Sequence, residues 1–230
     1  MKEYINFEIK LMYRSKRIKQ VFVTAVYFIL FFYLELFTGS KFFVDYFIGK
    51  IIYIPLIIAL PGITLAQYFF GIESNFICKL MTIPVSHNAI LIRKYYLYCL
   101  MSFCVFILLI PSLFFGIKMI ELISSFMMAI GPFLFLGFVT SLFNTEKYDL
   151  NAGIFVNWQG NSIKQYLIML ILFAFVFVVL YSLTFLFSEK EILLCMAIFG
   201  LIFIASCKIW ILHIAEYYDK SIQNNIENIL

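Results

Sequence analysis

Six long stretches of almost unbroken apolar residues limit what this chain can fold into. Each is close to the roughly 20 residues that a helix needs to cross the hydrocarbon core of a bilayer. A bilayer offers no water to unpaired backbone groups, and the stretches do not alternate between polar and apolar residues. They therefore predict transmembrane helices rather than a barrel. The stretches are Val21–Gly39, Ile51–Gly71, Tyr95–Gly116, Met119–Phe143, Gln165–Phe187 and Ile192–Leu212.

The composition of the whole chain agrees with a membrane environment. Of the 230 residues, 64% are hydrophobic and 13% are charged, whereas about 25% are charged in an ordinary soluble domain. A soluble fold of this size has too little interior to hide so much apolar surface. We therefore predict an all-α membrane protein with six transmembrane helices. It forms one domain over residues 1–230, because no internal repeat or linker interrupts the pattern.

The lysines and arginines predict how the spans are oriented, since cytoplasmic loops carry an excess of these residues. Of the 17 lysines and arginines, four fall on the outer side if the N-terminus is cytoplasmic, which leaves thirteen on the inner side. This bias predicts that both termini are cytoplasmic. The four outer residues are Lys41, Lys50, Lys118 and Lys190.

The chain between the second and third stretches is half polar and contains a proline. It reads GIESNFICKLMTIPVSHNAILIRKYY from Gly71 to Tyr96. Ser74 is suited to cap a helix in which apolar residues recur at helical spacing. Pro84 disfavours helix at the residue before it, and Ser86 is suited to cap the next helix. The pattern predicts a short amphipathic helix at the membrane surface, a proline elbow and then the third span.

Two interpretations of this segment stay open on the residues alone. It is either an interfacial loop whose apolar face rests among the lipid headgroups, or a lever that a soluble partner grips. Residues 1–20 also predict an amphipathic helix in the inner interface, held by anionic lipid through the basic residues that precede the first span. For these residues, the alternative is a basic flank that does no more than fix the topology.

The spans contain few groups that chemistry or binding could use. Glu35 lies about one turn from the outer end of the first span, where it either reaches toward the interface or faces the bundle and lines a pathway. Gln67, in the second span, either bonds to a neighbouring helix or lines the same pathway. Neither of the two histidines, His87 and His213, lies at membrane depth.

Sites for catalysis, metal binding and nucleotide binding are not predicted. The five cysteines are scattered without ligand spacing, and no paired acids or nucleophile motif occurs within a span. A phosphate-binding glycine-rich loop is also missing from the sequence, so ATP hydrolysis by that route requires another chain. The net charge of +4 gives no support for a nucleic-acid partner.

Together these features resemble the ABC-2 type transporter permeases, the membrane subunits of ATP-binding cassette transporters. The resemblance is carried by the basic amphipathic N-terminus, the six spans with both ends inside, and the helix, proline and serine between spans 2 and 3. It implies that this segment is a coupling helix that docks on a separate ATPase subunit. The residues that it implies for the contact are Ser74, Asn75, Phe76, Lys79, Leu80, Thr82, Pro84 and Ser86.

The resemblance also implies a setting and partners. We expect an exporter in the cytoplasmic membrane of a bacterium, paired with a second copy or a homologous permease, with ATP–Mg bound on the partner ATPase and no cofactor on this chain. One departure is the short turn Ser188–Glu191, which leaves no room for the external re-entrant helices of many relatives. The alternatives are a stand-alone channel or secondary carrier, an intramembrane enzyme, and a membrane scaffold that does not transport. The transported substrate is not predicted.

Overall fold

The computed structural model describes residues 10, 14–38, 47–70, 86–144 and 162–227, and the regular secondary structure of these residues is entirely helical. Loops and turns connect the helices. In chain order the elements are α1 (Lys16–Thr38), α2 (Phe47–Gln67), α3 (His87–Leu109), a 3-10 helix (Ile110–Phe115), α4 (Met119–Met128), a π-helical turn (Ala129–Phe133), α5 (Leu134–Ser141), α6 (Ile163–Leu186), α7 (Glu189–Ala205) and α8 (Cys207–Glu227).

The prediction of a helical membrane protein with several spans is confirmed. Five segments are long and apolar enough to cross a membrane, and a sixth is formed if α7 and α8 are counted together. The predicted last span is not one straight helix, because α7 and α8 meet at Ser206 with a bend of 57°. The five unbroken segments are Ile18–Thr38, Gly49–Gln67, His87–Phe115, Met119–Ser141 and Ile163–Leu186.

Hydrogen bonds at the break explain how an apolar environment tolerates it. The Ser206 hydroxyl donates to the carbonyl oxygen of Ile202 at 2.8 Å. The indole N–H of Trp210 donates to the carbonyl oxygen of Phe203 at 3.0 Å. The Ile202 carbonyl also keeps its backbone donor, the Ser206 N–H at 3.0 Å, so the side-chain donors matter most at the Phe203 carbonyl, where an unpaired acceptor would be costly. The break is therefore stabilised by its own side chains.

Two helices begin earlier than the apolar stretches predicted. α1 begins at Lys16 rather than Val21, and α3 begins at His87 rather than Tyr95. The hydroxyl of Ser15 accepts a hydrogen bond from the Ile18 N–H at 3.2 Å, and Ser86 accepts one from the Ala89 N–H at 3.4 Å. These bonds satisfy N–H groups that have no partner within the helix. The predicted cap at Ser86 is confirmed.

The prolines within the spans are accommodated in three ways. Pro55 and Pro61 lie inside α2, which continues through both. Pro111 lies at the start of the 3-10 helix that ends the third span. Pro132 lies in the π-helical turn between α4 and α5. Since proline has no N–H to donate, the last two sites are where the α-helical hydrogen-bond ladder changes its spacing.

Buried side chains form separate clusters toward the two ends of the bundle. One cluster joins the first turns of α1, the end of α2, the start of α3, the end of α5 and one face of α8. Another joins the later part of α1, the middle of α2, the end of α3 and the start of α4. The first four spans therefore run in alternating directions. We call the end where α2 stops and α3 starts the junction end.

Glycines allow the backbones of α4 and α7 to approach closely. A Cβ atom added to Gly200 would lie 2.5 Å from the carbonyl carbon of Met127, and one added to Gly131 would lie 2.7 Å from the carbonyl oxygen of Gly200. Real Cβ atoms do not approach backbone so closely, so each position requires glycine. The crossing joins the π-helical turn to the middle of α7, and it positions α7 on the bundle.

Enlarging the residue at this crossing is expected to destabilise the bundle. Gly200→Leu places side-chain atoms where Met127 backbone lies, and overpacking of this kind costs about 1–3 kcal/mol. Thermal unfolding in detergent should show a lower midpoint for this variant. The matched control is Leu201→Phe, which enlarges the neighbouring exposed residue and should leave the midpoint unchanged. Equal midpoints for the two variants would contradict the close approach.

Candidate functional site

The structure describes the residues at the two ends of the predicted partner-binding segment. Ser86 lies within the described residues, and Ser74, Asn75, Phe76, Lys79, Leu80, Thr82 and Pro84 lie outside them. The segment leaves the described part of the bundle at Phe70 and re-enters it at Ser86, one residue before α3. We call the side chains that flank these two points the junction. They are Phe69, Phe70, Ser86, His87, Tyr218 and Asp219.

Helix α8 brings the last two of these residues to the junction. One face of α8 is buried in the junction-end cluster, at positions spaced three, one, three and one residues apart. That spacing is the apolar stripe of an amphipathic helix. The buried residues are Cys207, Trp210, Ile211, Ile214 and Ala215, and the exposed residues include Lys208, Leu212, His213, Glu216 and Tyr217.

Side chains of α8 contact both ends of the flanked segment. The Tyr218 ring stacks on Phe70 at the end of α2, with ring centroids 3.9 Å apart and planes 24° apart. The edge of the His87 ring meets Tyr218, with centroids 5.5 Å apart. His87 Nδ1 lies 2.6 Å from Asp219 Oδ1. One short part of α8 therefore ties the end of α2 to the start of α3.

A buried cation lies directly inside the junction. Lys94 lies in α3, in the helix that Ser86 was predicted to cap, and only 2% of its surface is exposed. Its Nζ atom lies 4.7 Å from the centroid of the Phe69 ring. An ammonium group over an aromatic face is attracted by the ring quadrupole, and more strongly where water is excluded. This contact gives α2 and α3 a second link next to the segment.

Gln67 bonds to α6 in this structure. The Gln165 side-chain N–H donates to the carbonyl oxygen of Gln67 at 2.8 Å, and Gln67 Nε2 lies 2.9 Å from the sulfur of Met169. These contacts join the end of α2 to the start of α6. At the same end of the bundle, the Ser162 hydroxyl donates to the carbonyl oxygen of Phe143 at 2.8 Å. Phe143 and Ser162, which lie on either side of residues 145–161, are therefore next to each other in the bundle.

Glu35 lies far from the junction, in the later part of α1. Its side chain is 3% exposed, so it faces the bundle rather than reaching outward. On the same part of α1, the ring of Phe32 lies 6.1 Å from the ring of Tyr53 of α2. Of the two predicted pathway residues, Glu35 and Gln67, the structure buries both and does not bring them together, because they belong to opposite ends of the bundle.

Two cavities flank α6 at the depth of the spans. They have volumes of about 450 and 380 Å³, and their described linings contain no charged side chain. The larger is lined mainly by Leu56 and Phe133 with one face of α6, and the smaller by Met128 and Met196 with the other. Among the described residues, no three His, Cys, Asp or Glu side chains come close enough to hold a metal ion.

The sequence reasoning missed the part that α8 plays at the junction. The sequence does contain a pattern that indicates this helix. After Ser206, apolar residues recur at the spacing of one helix face, and Lys208, His213, Glu216 and Asp219 fall between them. Because the first part of that pattern overlaps the last apolar stretch, it was merged with the span. Tyr218 and Asp219 follow that stretch and carried no motif of their own.

The chain matches the model of a family described as "Family of unknown function (DUF5687)" over residues 1–227. It belongs to this family. The match includes the six apolar stretches and every residue of the junction. No curated protein and no solved structure matches the chain. The description of the DUF5687 family assigns no activity, so an argument about function has to come from the residues and their contacts.

The stacked ring is expected to matter more than the ion pair at the junction. The pair of His87 with Asp219 is partly exposed, at 30% and 48% of the two side chains, so it contributes at most about 1 kcal/mol. The stacked aromatic pair contributes about 0.5–1.5 kcal/mol beyond the area that it buries. Tyr218→Ala should therefore raise amide hydrogen exchange in the second half of α8 by about tenfold, and Asp219→Asn by less.

Tyr217 supplies the matched control for this measurement. It is the preceding residue, has the same side chain and is 56% exposed. Tyr217→Ala should leave exchange in α8 at the wild-type rate. If Tyr217→Ala and Tyr218→Ala raise exchange equally, then the stacking on Phe70 does not hold α8 against the junction.

Proposed function

We propose that this chain is the membrane-spanning subunit of an ATP-driven transporter of the ABC-2 permease type. The segment between α2 and α3 is its proposed contact with the motor subunit. A separate ATPase subunit grips residues 74–86 from the cytoplasm, and its movement reaches the bundle through the junction. Two such membrane subunits enclose the path, and the transport direction is export. The ATP–Mg site belongs to the partner ATPase.

The junction is the observation that carries this proposal. A force on the segment between α2 and α3 moves these helices only if the connection between the segment and the helices is rigid. α3 begins directly after Ser86 and continues for 23 residues, and α2 remains helical to within a few residues of the segment. The Phe70–Tyr218 stack and the His87–Asp219 contact hold the two ends against α8. A push on the segment therefore acts on three helices at once.

Hydrogen bonds extend this connection into the bundle. The Tyr95 hydroxyl of α3 donates to the carbonyl oxygen of Ile130 at 3.0 Å. Ile130 lies in the π-helical turn beside the glycine that α7 contacts. A π-helical turn interrupts the regular ladder, and such turns are frequent at functional sites. A tilt of α3 therefore has a route to the crossing of α4 with α7, which lies deeper in the membrane.

Charge supports a cytoplasmic position for the junction end. Lys16 and Lys19 begin α1, Arg93 lies near the start of α3, Lys164 near the start of α6 and Lys208 near the start of α8. All of these positions belong to the junction end, whereas the described lysines of the opposite end are Lys50, Lys118 and Lys190, of which Lys118 is paired with Glu189 at 3.7 Å. An excess of basic residues marks the cytoplasmic side of a membrane protein.

Substitutions in the segment are expected to uncouple the partner without unfolding the bundle. The test begins by asking whether a Walker-motif ATPase is recovered when this chain is affinity-purified from its membrane; the recovered pair is then reconstituted in liposomes. The wild-type chain should stimulate ATP hydrolysis, and the double variant Leu80→Ala, Pro84→Ala should return the rate to that of the ATPase alone. The physical reason is that the apolar contact and the rigid elbow are both lost.

A control at the opposite end separates coupling from general damage. Phe114 is 91% exposed beyond the end of α3, and Phe114→Ala should leave the stimulated rate unchanged while both variants insert into the membrane. A wild-type chain that neither retains the ATPase nor stimulates it would contradict the proposal and favour the stand-alone carrier or scaffold. Normal stimulation by the double variant would exclude the segment as the contact.

Cysteine labelling is expected to place the two ends of the bundle on opposite sides of the membrane. In a variant whose five native cysteines are replaced, Lys79→Cys should react with an impermeant maleimide only from the cytoplasmic side. Lys118→Cys should react only from the other side, because its side chain is exposed at the opposite end. Labelling of Lys79→Cys from outside intact cells would contradict the proposed docking side.

A further inference from the structure

Glu35 is unusual among the acidic side chains that the structure describes. Glu121 accepts a hydrogen bond from the Lys118 N–H at 3.1 Å, and Glu191 accepts two from Ser188. Glu189, Glu216 and Asp219 each lie within 4 Å of a lysine or histidine nitrogen. By contrast, Glu35 is buried and neither of its carboxyl oxygens has a hydrogen-bond partner.

Among the described residues, the elements packed on Glu35 do not place a positive charge within ion-pair distance of it. The ionisable side chains of α2 are Lys50 and Tyr53, and a tyrosine carries no positive charge. Lys50 and Glu35 do not form one of the ion pairs within 4 Å that the described residues make. The 3-10 helix, which reads IPSLFF, also packs on α1 and contains no ionisable residue.

An ionised carboxylate is costly in such surroundings. Insertion scales give about 2.5–3.5 kcal/mol for a charged residue at the centre of a membrane helix and less toward its end, where Glu35 lies; an unsatisfied buried acceptor adds to this cost. A buried acid without a partner avoids the cost by taking up a proton. Its surroundings also disfavour a metal ion, because Ca²⁺ and Mg²⁺ require six or more oxygen ligands and Glu35 is the only carboxylate described there.

We propose that Glu35 is a proton-binding site of this protein. The carboxyl group holds a proton while α1 and α2 are packed together, and it exchanges this proton with water when their contact opens. The cluster of Phe32 with Tyr53 and the apolar residues around them keeps water away in the packed state. This inference does not require the ATPase partner, because it depends on the packing of α1 against α2 within one chain.

Difference infrared spectroscopy tests the proposal on the purified chain in lipid. The spectrum of wild type minus Glu35→Gln at neutral pH should contain the C=O band of a protonated carboxylic acid. The control is Glu191→Gln: Glu191 is exposed and accepts two hydrogen bonds from Ser188, which favour the ionised form. That difference should contain carboxylate bands instead. Carboxylate bands in the Glu35 difference would overturn the proposal.

A second measurement needs no variant and covers the case in which Glu35→Gln does not fold. Dicyclohexylcarbodiimide dissolves in lipid and adds to protonated carboxyl groups, forming a stable adduct that peptide mass spectrometry locates. The wild-type chain in liposomes should carry the adduct on Glu35 at neutral pH and not on Glu191. Absence of the Glu35 adduct would overturn the proposal. The result for Glu35 and the result of the ATPase measurement are independent of each other.

Discussion

The contact of α8 with the facing ends of α2 and α3 is the interaction on which the proposed coupling depends. Between helices inside a bilayer there is little hydrophobic driving force, so their association relies on packing and hydrogen bonds. α8 differs, because its exposed face carries Lys208, His213 and Glu216 among apolar residues while its apolar stripe is buried. It can therefore be held by the burial of Trp210, Ile211 and Ile214 as well as by the contacts of Tyr218.

The two ends of the bundle are held together by different kinds of contact. This difference fits the proposed movement of the junction end relative to the rest of the bundle. The junction end has stacked rings, a buried lysine and an interhelical amide pair. Toward the other end, α4 and α7 meet backbone to backbone at Gly131 and Gly200, which leaves little freedom to slide. The Tyr95 hydroxyl bond to Ile130 connects the two parts. Glu35 lies in the later part of α1, toward the end opposite the junction.

The sequence predicted the spans well and their ends poorly, for a physical reason. An apolar run marks side chains whose transfer from water into lipid is favourable, and five of the six runs coincide with long helices. Helix starts depend on hydrogen-bond caps, so the apolar runs alone did not mark the first turns at Lys16 and His87; for the second of these, the cap at Ser86 did. The apolar run also did not mark the break at Ser206, which depends on the indole N–H of Trp210 donating to the Phe203 carbonyl seven residues earlier.

The direction in which a side chain points was also beyond the sequence. Glu35 faces the bundle and Lys94 lies beneath Phe69 because of which helices pack against α1 and α3, and a single apolar run contains no information about its neighbours. The cap at Ser86 was predictable, since it needs a serine, a preceding proline and three residues of local chain. Local features of the site were therefore accessible, and contacts between helices were not.

Spin-label distances across the junction test the central claim most directly. One label is placed at Asn88 in the first turn of α3 and one at Tyr217 on the exposed face of α8, with the chain reconstituted beside the proposed partner ATPase. If the junction moves as one body, the distance between the labels stays a single value with and without nucleotide, while a distance from either label to α7 changes. A label-to-label distance that changes between α3 and α8 when ATP is added would contradict the account.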